Sequence, residues 1–277
     1  MTLSKLSNRV RLGTVGYLNA RPLVFGLDRS PRFEVRFDLP SRCAVLLHEG
    51  EIDVGLIPSI EYLRGPAGDG HRYHIVPGLA IASRGPVASV ALYTKRPIAD
   101  VRSIAMDTSS RTSVALVRVL CARRFGIQPS IEARGPDLNG MLERCDAALL
   151  IGDNALLVDH GARGDVEKID LGEVWTAMTG LPFVYAFWAG RPGALTSDDV
   201  RALQEARDAG VQHPDEIARD YFRDAPDALH RQAIGARYLR DNISYDLGET
   251  ERAGLELFYR YAAEIGVVPD AGALRLY

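Results

Sequence analysis

Cysteine is scarce in this chain of 277 residues: Cys43, Cys121 and Cys145 are odd in number, far apart and never in a CxxC pair. That spacing argues against a disulfide framework and against a zinc site, and the expectation is buried, inert thiols in a reducing compartment. An excess of one charge is also lacking. The 33 Lys and Arg stand against 36 Asp and Glu, a formal net charge of −3, so no global field favours nucleic acid or an anionic membrane. No apolar run approaches the roughly 20 residues that cross a bilayer; the run 181–189 falls far short. Residues 1–11 are polar and basic and lack the apolar stretch and small-residue cleavage site of a secretory signal. The expectation is therefore a cytoplasmic protein, and a composition 47% hydrophobic and 25% charged is that of an ordinary globular one.

Signatures of common cofactor chemistry are missing as well. There is no GxGxxG, Walker A, HExxH, GxSxG or EF-hand loop, and the six histidines make no i, i+4 pair. His71 and His74 come closest, in a polar loop where solvation is the simpler reading. Nucleotide, metal and triad chemistries have no support, and neither a cofactor nor a metal is expected.

The pattern that is present alternates strand and helix. Residues 10–16 read as a short apolar strand, and Phe33, Val35 and Phe37 alternate with charged residues as a second. Ser41 is placed to cap a helix over 43–49, with Gly50 as its stop. Residues 52–58 give the next strand and Ser59 a short helix; further strands lie around Leu79 and over 87–93. The pattern then restarts: a strand over 103–106, an amphipathic helix over 110–125 ended by Gly126, and a strand at Ile131. Asp137 caps 138–144, a buried strand spans 147–151, Asp153 is placed to cap the next helix, and 181–189 is the last strand. From about Thr196 the reading is helical, and this tail has no sheet of its own to cover. Strands separated by single helices argue for mostly parallel sheets, hence an α/β fold of two units with a helical C-terminal segment.

In such sheets ligands bind beyond the carboxyl ends of the strands. The most informative segment there is Thr108-Ser109-Ser110-Arg111-Thr112-Ser113, which follows a strand and opens a helix. Free backbone N–H groups, hydroxyls and the helix dipole converge on one point, which suits a carboxylate or phosphate; redundant capping is the plainer alternative. Asn19, Ser59 and Ser89 are each either caps or cleft-facing polar groups, and Gly152-Asp153-Asn154 ends another strand with Asp153 as a cap first.

Taken together the segments resemble one family. Gly16-Tyr17-Leu18-Asn19-Ala20-Arg21-Pro22-Leu23, Gly50-Glu51-Ile52-Asp53-Val54-Gly55-Leu56-Ile57-Pro58 and Gly85-Pro86-Val87-Ala88-Ser89 carry the first part of the likeness. Ser109-Ser110-Arg111-Thr112-Ser113, Leu150-Ile151-Gly152-Asp153-Asn154-Ala155-Leu156 and Thr179-Gly180-Leu181-Pro182-Phe183-Val184 carry the rest. In order and spacing these are similar to the chorismate dehydratases of the futalosine route to menaquinone, over nearly the whole chain. The resemblance implies a two-lobed, periplasmic-binding-protein-like type II fold, with crossings near 92–96 and 187–190. The lobes would be 1–95 with 190–277, and 96–189.

It also implies elimination of water from chorismate to 3-[(1-carboxyvinyl)oxy]benzoate, without a cofactor. By resemblance, Asn19 and Ser89 hydrogen-bond the ring and the leaving hydroxyl. Ser109, Ser110, Arg111 and Thr112 hold a carboxylate, and Ser59, Gly152, Asp153 and Asn154 line the cleft. None of these is a strong base near neutral pH, as fits a proton taken by the substrate's own enolpyruvyl carboxylate. Two other readings compete: a small-carboxylate binding or sensor protein of the same fold, and the sister 1,4-dihydroxy-6-naphthoate synthase. The latter family typically opens with a Ser-Pro-Cys-Pro-Asn type segment and uses a histidine; here that segment is Gly16-Tyr17-Leu18-Asn19-Ala20-Arg21-Pro22, and no histidine occupies an expected strand end.

Overall fold

The computed structural model describes residues 9–65, 73–159, 161 and 164–277; His71, His160 and residues 1–8 lie outside them. The strands are β1 (Val10–Val15), β2 (Phe33–Asp38), β3 (Val54–Pro58), β4 (His74–Ser83), β5 (Val90–Thr94), β6 (Ser103–Asp107), β7 (Ser130–Arg134), β8 (Ala147–Ile151), β9 (Glu167–Asp170) and β10 (Phe183–Gly190). They form two five-stranded sheets, ordered β2-β1-β3-β10-β4 and β7-β6-β8-β5-β9.

Both sheets repeat one pattern. Three parallel strands, β2-β1-β3 or β7-β6-β8, are followed by a strand antiparallel to both its neighbours. That strand is β10 in the first sheet and β5 in the second. Each enters after the chain has come over from the other sheet, which is why strand–helix alternation alone predicted a more parallel arrangement. Lobe boundaries shift accordingly. The expected crossings at 92–96 and 187–190 fall largely on strands, β5 and β10, and the chain passes between sheets at 84–89 and again over 171–182. Strand β9 escaped the sequence reading because its four residues are too short, and too evenly half-exposed, to show a period.

The helices are α1 (Pro40–Glu49), α2 (Arg111–Leu120), α3 (Leu138–Arg144), α4 (Gly152–Leu157), α5 (Leu171–Thr179), α6 (Ser197–Gly210), α7 (Pro214–Tyr221), α8 (Ala228–Asp241) and α9 (Glu249–Glu264). Helix α1 starts earlier than a Ser41 cap requires, because Pro40 is pre-set for the first helical position. Helix α2 is capped by Ser110, whose hydroxyl accepts from the Ser113 N–H, and the 110–125 segment finishes in a π turn before Gly126. Helix α6 carries a full capping box between Thr196 and Asp199. The C-terminal helices pack mainly onto the first lobe: α6 and α7 against the turn after β1, α9 against β10, with α9 also touching α2. Trp175 of α5, fully buried, meets Phe183 and Phe258 edge-on and donates its indole N–H to Pro182 O at 3.1 Å. All three cysteines are buried and free; burial pushes the Cys43 thiol up to about 12 and the Cys121 thiol to about 11.

The two crossings are tied together by one side chain. Asp170 accepts from Val87 N–H (3.0 Å) and Ala88 N–H (2.7 Å) in the first crossing. It also caps α5 in the second, from Gly172 N–H (3.0 Å) and Glu173 N–H (3.1 Å). Between Val87 and Ser89 the backbone makes a tight γ-turn: Ser89 N–H donates to Val87 O at 2.7 Å around Ala88, whose φ is +62°. A positive φ on a residue with a Cβ is strained, and it persists because the carboxylate over-determines the turn. Replacing Asp170 by Ala orphans four N–H groups. We expect Asp170→Ala to lower unfolding free energy by about 2–4 kcal/mol, read from urea denaturation midpoints. A change below a few tenths of that would mean the clamp contributes nothing.

Candidate active site

Where β1, β3 and β8 end, the two lobes close on a small cavity of about 50 Å³. Tyr17, Asn19 and Pro58 reach it from the first lobe, Val87 and Ser89 from the first crossing, and Ser110, Ser113 and Gly152 from the second lobe. Tyr185 of β10 lines it too, its hydroxyl 3.0 Å from Ser83 Oγ. The volume holds little more than a water or two, so the lobes meet closely here. Wider grooves, such as one of about 470 Å³ beside Arg21, Phe25 and Phe37, lie away from these strand ends.

Gly152 shows how closely the lobes meet. Its φ is +58°, and a Cβ there would stand 2.8 Å from the Tyr17 ring. Only glycine fits both the left-handed backbone and the aromatic face pressed on it. The Tyr17 hydroxyl in turn lies 3.3 Å from Ser109 Oγ.

Of the residues expected to touch ligand, the structure brings Asn19, Ser89, Ser110 and Gly152 to the cavity. Ser113, one residue beyond the expected set, joins them at the α2 N-terminus, where its hydroxyl lies 3.0 Å from Ser110 Oγ. The other expected residues mostly join lobe to lobe. Thr112 Oγ1 accepts from Ile60 N–H at 3.2 Å and lies 3.4 Å from Ser59 Oγ, while Ser59 donates to Val184 O at 2.8 Å. Both hydroxyls are thus spent within the protein.

Arg111 does not turn inward: it pairs with Glu61 at 2.6 Å, and Glu61 is 1% exposed. Burial works against the Glu61 charge, but His48, Arg111 and Arg64 outweigh it and hold the carboxyl below its ordinary range. Asn154 is exposed, facing a separate surface depression with Asp137 and Arg231.

Asp153 corrects a second expectation. It does not cap α4; it sits inside the first turn, accepting from Leu18 N–H at 3.2 Å and from the Tyr221 hydroxyl across the cleft. Burial lifts its pKa above the ordinary carboxylate value, more than the Tyr221 and Leu18 contacts and the Arg21 charge can offset. Sequence reading missed Tyr185 and Tyr238 as site residues. Tyr185 lies in an aromatic run that reads as core, and Tyr238 of α8 sits in a helical stripe with buried Gly235, Ala236 and Leu239; neither carries a local signal. Among the described residues no group of three or more His, Cys, Asp or Glu could hold a metal ion, and no helix is long and apolar enough to cross a membrane.

Two α/β lobes, each with one antiparallel strand laid down as the chain enters from the other lobe, and a cleft between their strand ends define the periplasmic-binding-protein-like class. Solved structures agree on the fold. A protein of Archaeoglobus fulgidus superposes with a TM-score of 0.74 at 18% identity, covering 95% of this chain and 100% of that one. An ABC transporter from Parabacteroides distasonis gives 0.64 at 18%, covering 96% and 98%. A Candida albicans gene product described as having the generic periplasmic binding protein fold gives 0.62 at 12%, covering 95% and 92%. The sequence model of the Menaquinone biosynthesis family matches residues 10–264, and the chain belongs to that family. The chorismate dehydratase of Thermus thermophilus is 33% identical over 266 residues, 89% of this chain and 93% of that protein.

The buried Asp153 yields a test with an uncommon sign. A carboxyl whose folded pKa is raised binds its proton more tightly folded than unfolded, so stability falls as pH rises from about 4, the unfolded value, through the folded one. Asp153→Asn keeps an acceptor for Leu18 and a partner for Tyr221 without the charge. Denaturation across a pH series should show the wild type losing stability relative to Asp153→Asn as pH rises. A difference independent of pH would contradict the buried charge.

Proposed function

We propose that this protein is a cytoplasmic chorismate dehydratase, a hydro-lyase that converts chorismate to 3-[(1-carboxyvinyl)oxy]benzoate and water in menaquinone biosynthesis. The observation that carries the proposal, given the family, is the character of the cavity wall. Among the described residues its lining holds hydroxyls, an amide and apolar groups, with no carboxylate, imidazole, amine or guanidinium. A reaction run there must bring its own base.

Chorismate does so. Its ring is one dehydration short of aromatic, and its C3 proton is acidified through a ring double bond conjugated to the ring carboxylate. The enolpyruvyl carboxylate, attached at the same carbon, takes that proton. The C3–H pair becomes the C3–C4 double bond, and the C4–O bond breaks. Hydroxide leaves as water once a proton reaches it, from a hydrogen-bonded donor or from the carboxyl just formed.

The protein's part is placement and exclusion of water. The α2 N-terminus, with Ser110 and Ser113, offers hydroxyls and a positive dipole end to one carboxylate. Ser89 and Asn19 stand against the reacting carbons, Ser89 donating to the leaving hydroxyl. The closed lobes keep bulk water from the developing charge.

Purified protein incubated with chorismate, without added metal or cofactor, should convert it to an aromatic product lighter by one water, followed by mass spectrometry. Asn19→Ala and Ser89→Ala should each lower kcat by about 10²-fold or more while unfolding at a wild-type temperature. Chorismate left intact beside an active control enzyme would refute the reading, and full activity in either variant would refute that residue's role.

A further inference from the structure

Behind the cavity wall three distant segments meet at one oxygen. The Tyr238 hydroxyl, from α8 in the C-terminal helices, lies 2.6 Å from Ser89 Oγ. The Asn19 side chain lies close enough to bear on the same phenol. Tyr238 is 2% exposed and does not line the cavity, whereas both of its partners do.

The proton inventory gives this cluster a direction. A phenol carries one proton and accepts at its lone pairs; a serine hydroxyl does the same. Phenol is the stronger acid and serine oxygen the better acceptor, so the short bond runs from Tyr238 O–H to Ser89 Oγ. In a chain oriented that way, the Ser89 proton is left over and is directed into the cavity that Ser89 lines. Each bond polarises the next, strengthening the terminal donor.

The strained γ-turn at Ala88 fits this arrangement. It sets Ser89 against α8 while leaving its hydroxyl at the wall.

We infer that Tyr238 is a positioning residue: it fixes the Ser89 hydroxyl as a donor aimed at the departing oxygen of the substrate, and the C-terminal helices are thereby part of the active site. This rests on the reading that Ser89 hydrogen-bonds the leaving hydroxyl of chorismate.

The test is a double-mutant cycle on the full-length protein with chorismate as substrate. Tyr238→Phe keeps the ring and removes only the hydroxyl. It should lower kcat by about 10-fold or more, within the ordinary range for a lost acid–base or orienting contact, with KM within about twofold of wild type, as for an interaction made in the transition state. The Tyr238→Phe, Ser89→Ala double variant should be no slower than Ser89→Ala alone, because Tyr238 acts through Ser89. Replacement of Tyr238 by 3-fluorotyrosine preserves shape and donor and should retain at least half of the wild-type rate.

Unchanged kcat in Tyr238→Phe, multiplicative losses in the double variant, or a collapse of rate with fluorotyrosine would each overturn the inference while wild-type turnover keeps the functional reading intact. A wild type that leaves chorismate untouched overturns both.

Discussion

The carboxylate of Asp170 gathers four backbone N–H groups from two stretches of chain that cross between the lobes. Charge-assisted bonds of this kind are among the stronger ones available to a protein, and here they coincide with the positive end of the α5 dipole. Much else hangs on that clamp. It holds the turn at Ala88 in a conformation the residue would not adopt alone, and it thereby sets Val87 and Ser89 against the cavity. Lys168, on β9, adds a donor to Ala88 O at 2.9 Å, so the turn is gripped on both its N–H and C=O sides. The hinge region and one wall of the site are consequently a single structural unit.

On the opposite side of the cleft the contacts are of another kind. Asp153 with Tyr221, Thr112 with Ile60, and Arg111 with Glu61 are polar pairs contributed by different lobes. These bonds hold the lobes together, and the ion pair does so with a carboxylate, Glu61, that is 1% exposed. Apolar packing runs from lobe to lobe: one buried cluster includes residues of both sheets, α2 packs against α9, and Trp175, Phe183 and Phe258 interlock at the second crossing.

Much of this organisation was legible in the sequence wherever a local rule sufficed. Asp137 capping 138–144 and the buried strand 147–151 follow from caps and periodicity, and the structure agrees. The α2 N-terminus was legible as a polar strand end for the same reason. What escaped depends on distance in the chain. Strand direction in β5 and β10 is decided by where the chain arrives from, which no window of residues records. Arg111 and Asp153 look like ligand-facing or capping residues until Glu61, Leu18 and Tyr221 are brought across the cleft to occupy them. Tyr238 is indistinguishable from a core residue without Ser89 and Asn19 beside it. Ser59 and Thr112 read as ligand-facing polar groups near strand ends, and the structure employs them to join lobes.

The late return of the chain to the first sheet also constrains how it comes to be folded. In the first sheet β10 lies between β3 and β4, and Phe183 pairs with Ser83 across the whole of the second lobe. Strand β4 therefore has no ladder partner in that sheet until nearly two-thirds of the polypeptide has left the ribosome. Contacts of such long sequence separation are slow to form, and an unpaired apolar strand invites wrong partners while it waits. The second lobe, whose five strands are contiguous from β5 to β9, has no such delay. It is free to fold first as an insertion and deliver β10 to its place, making the later-numbered lobe the template on which the earlier one is completed.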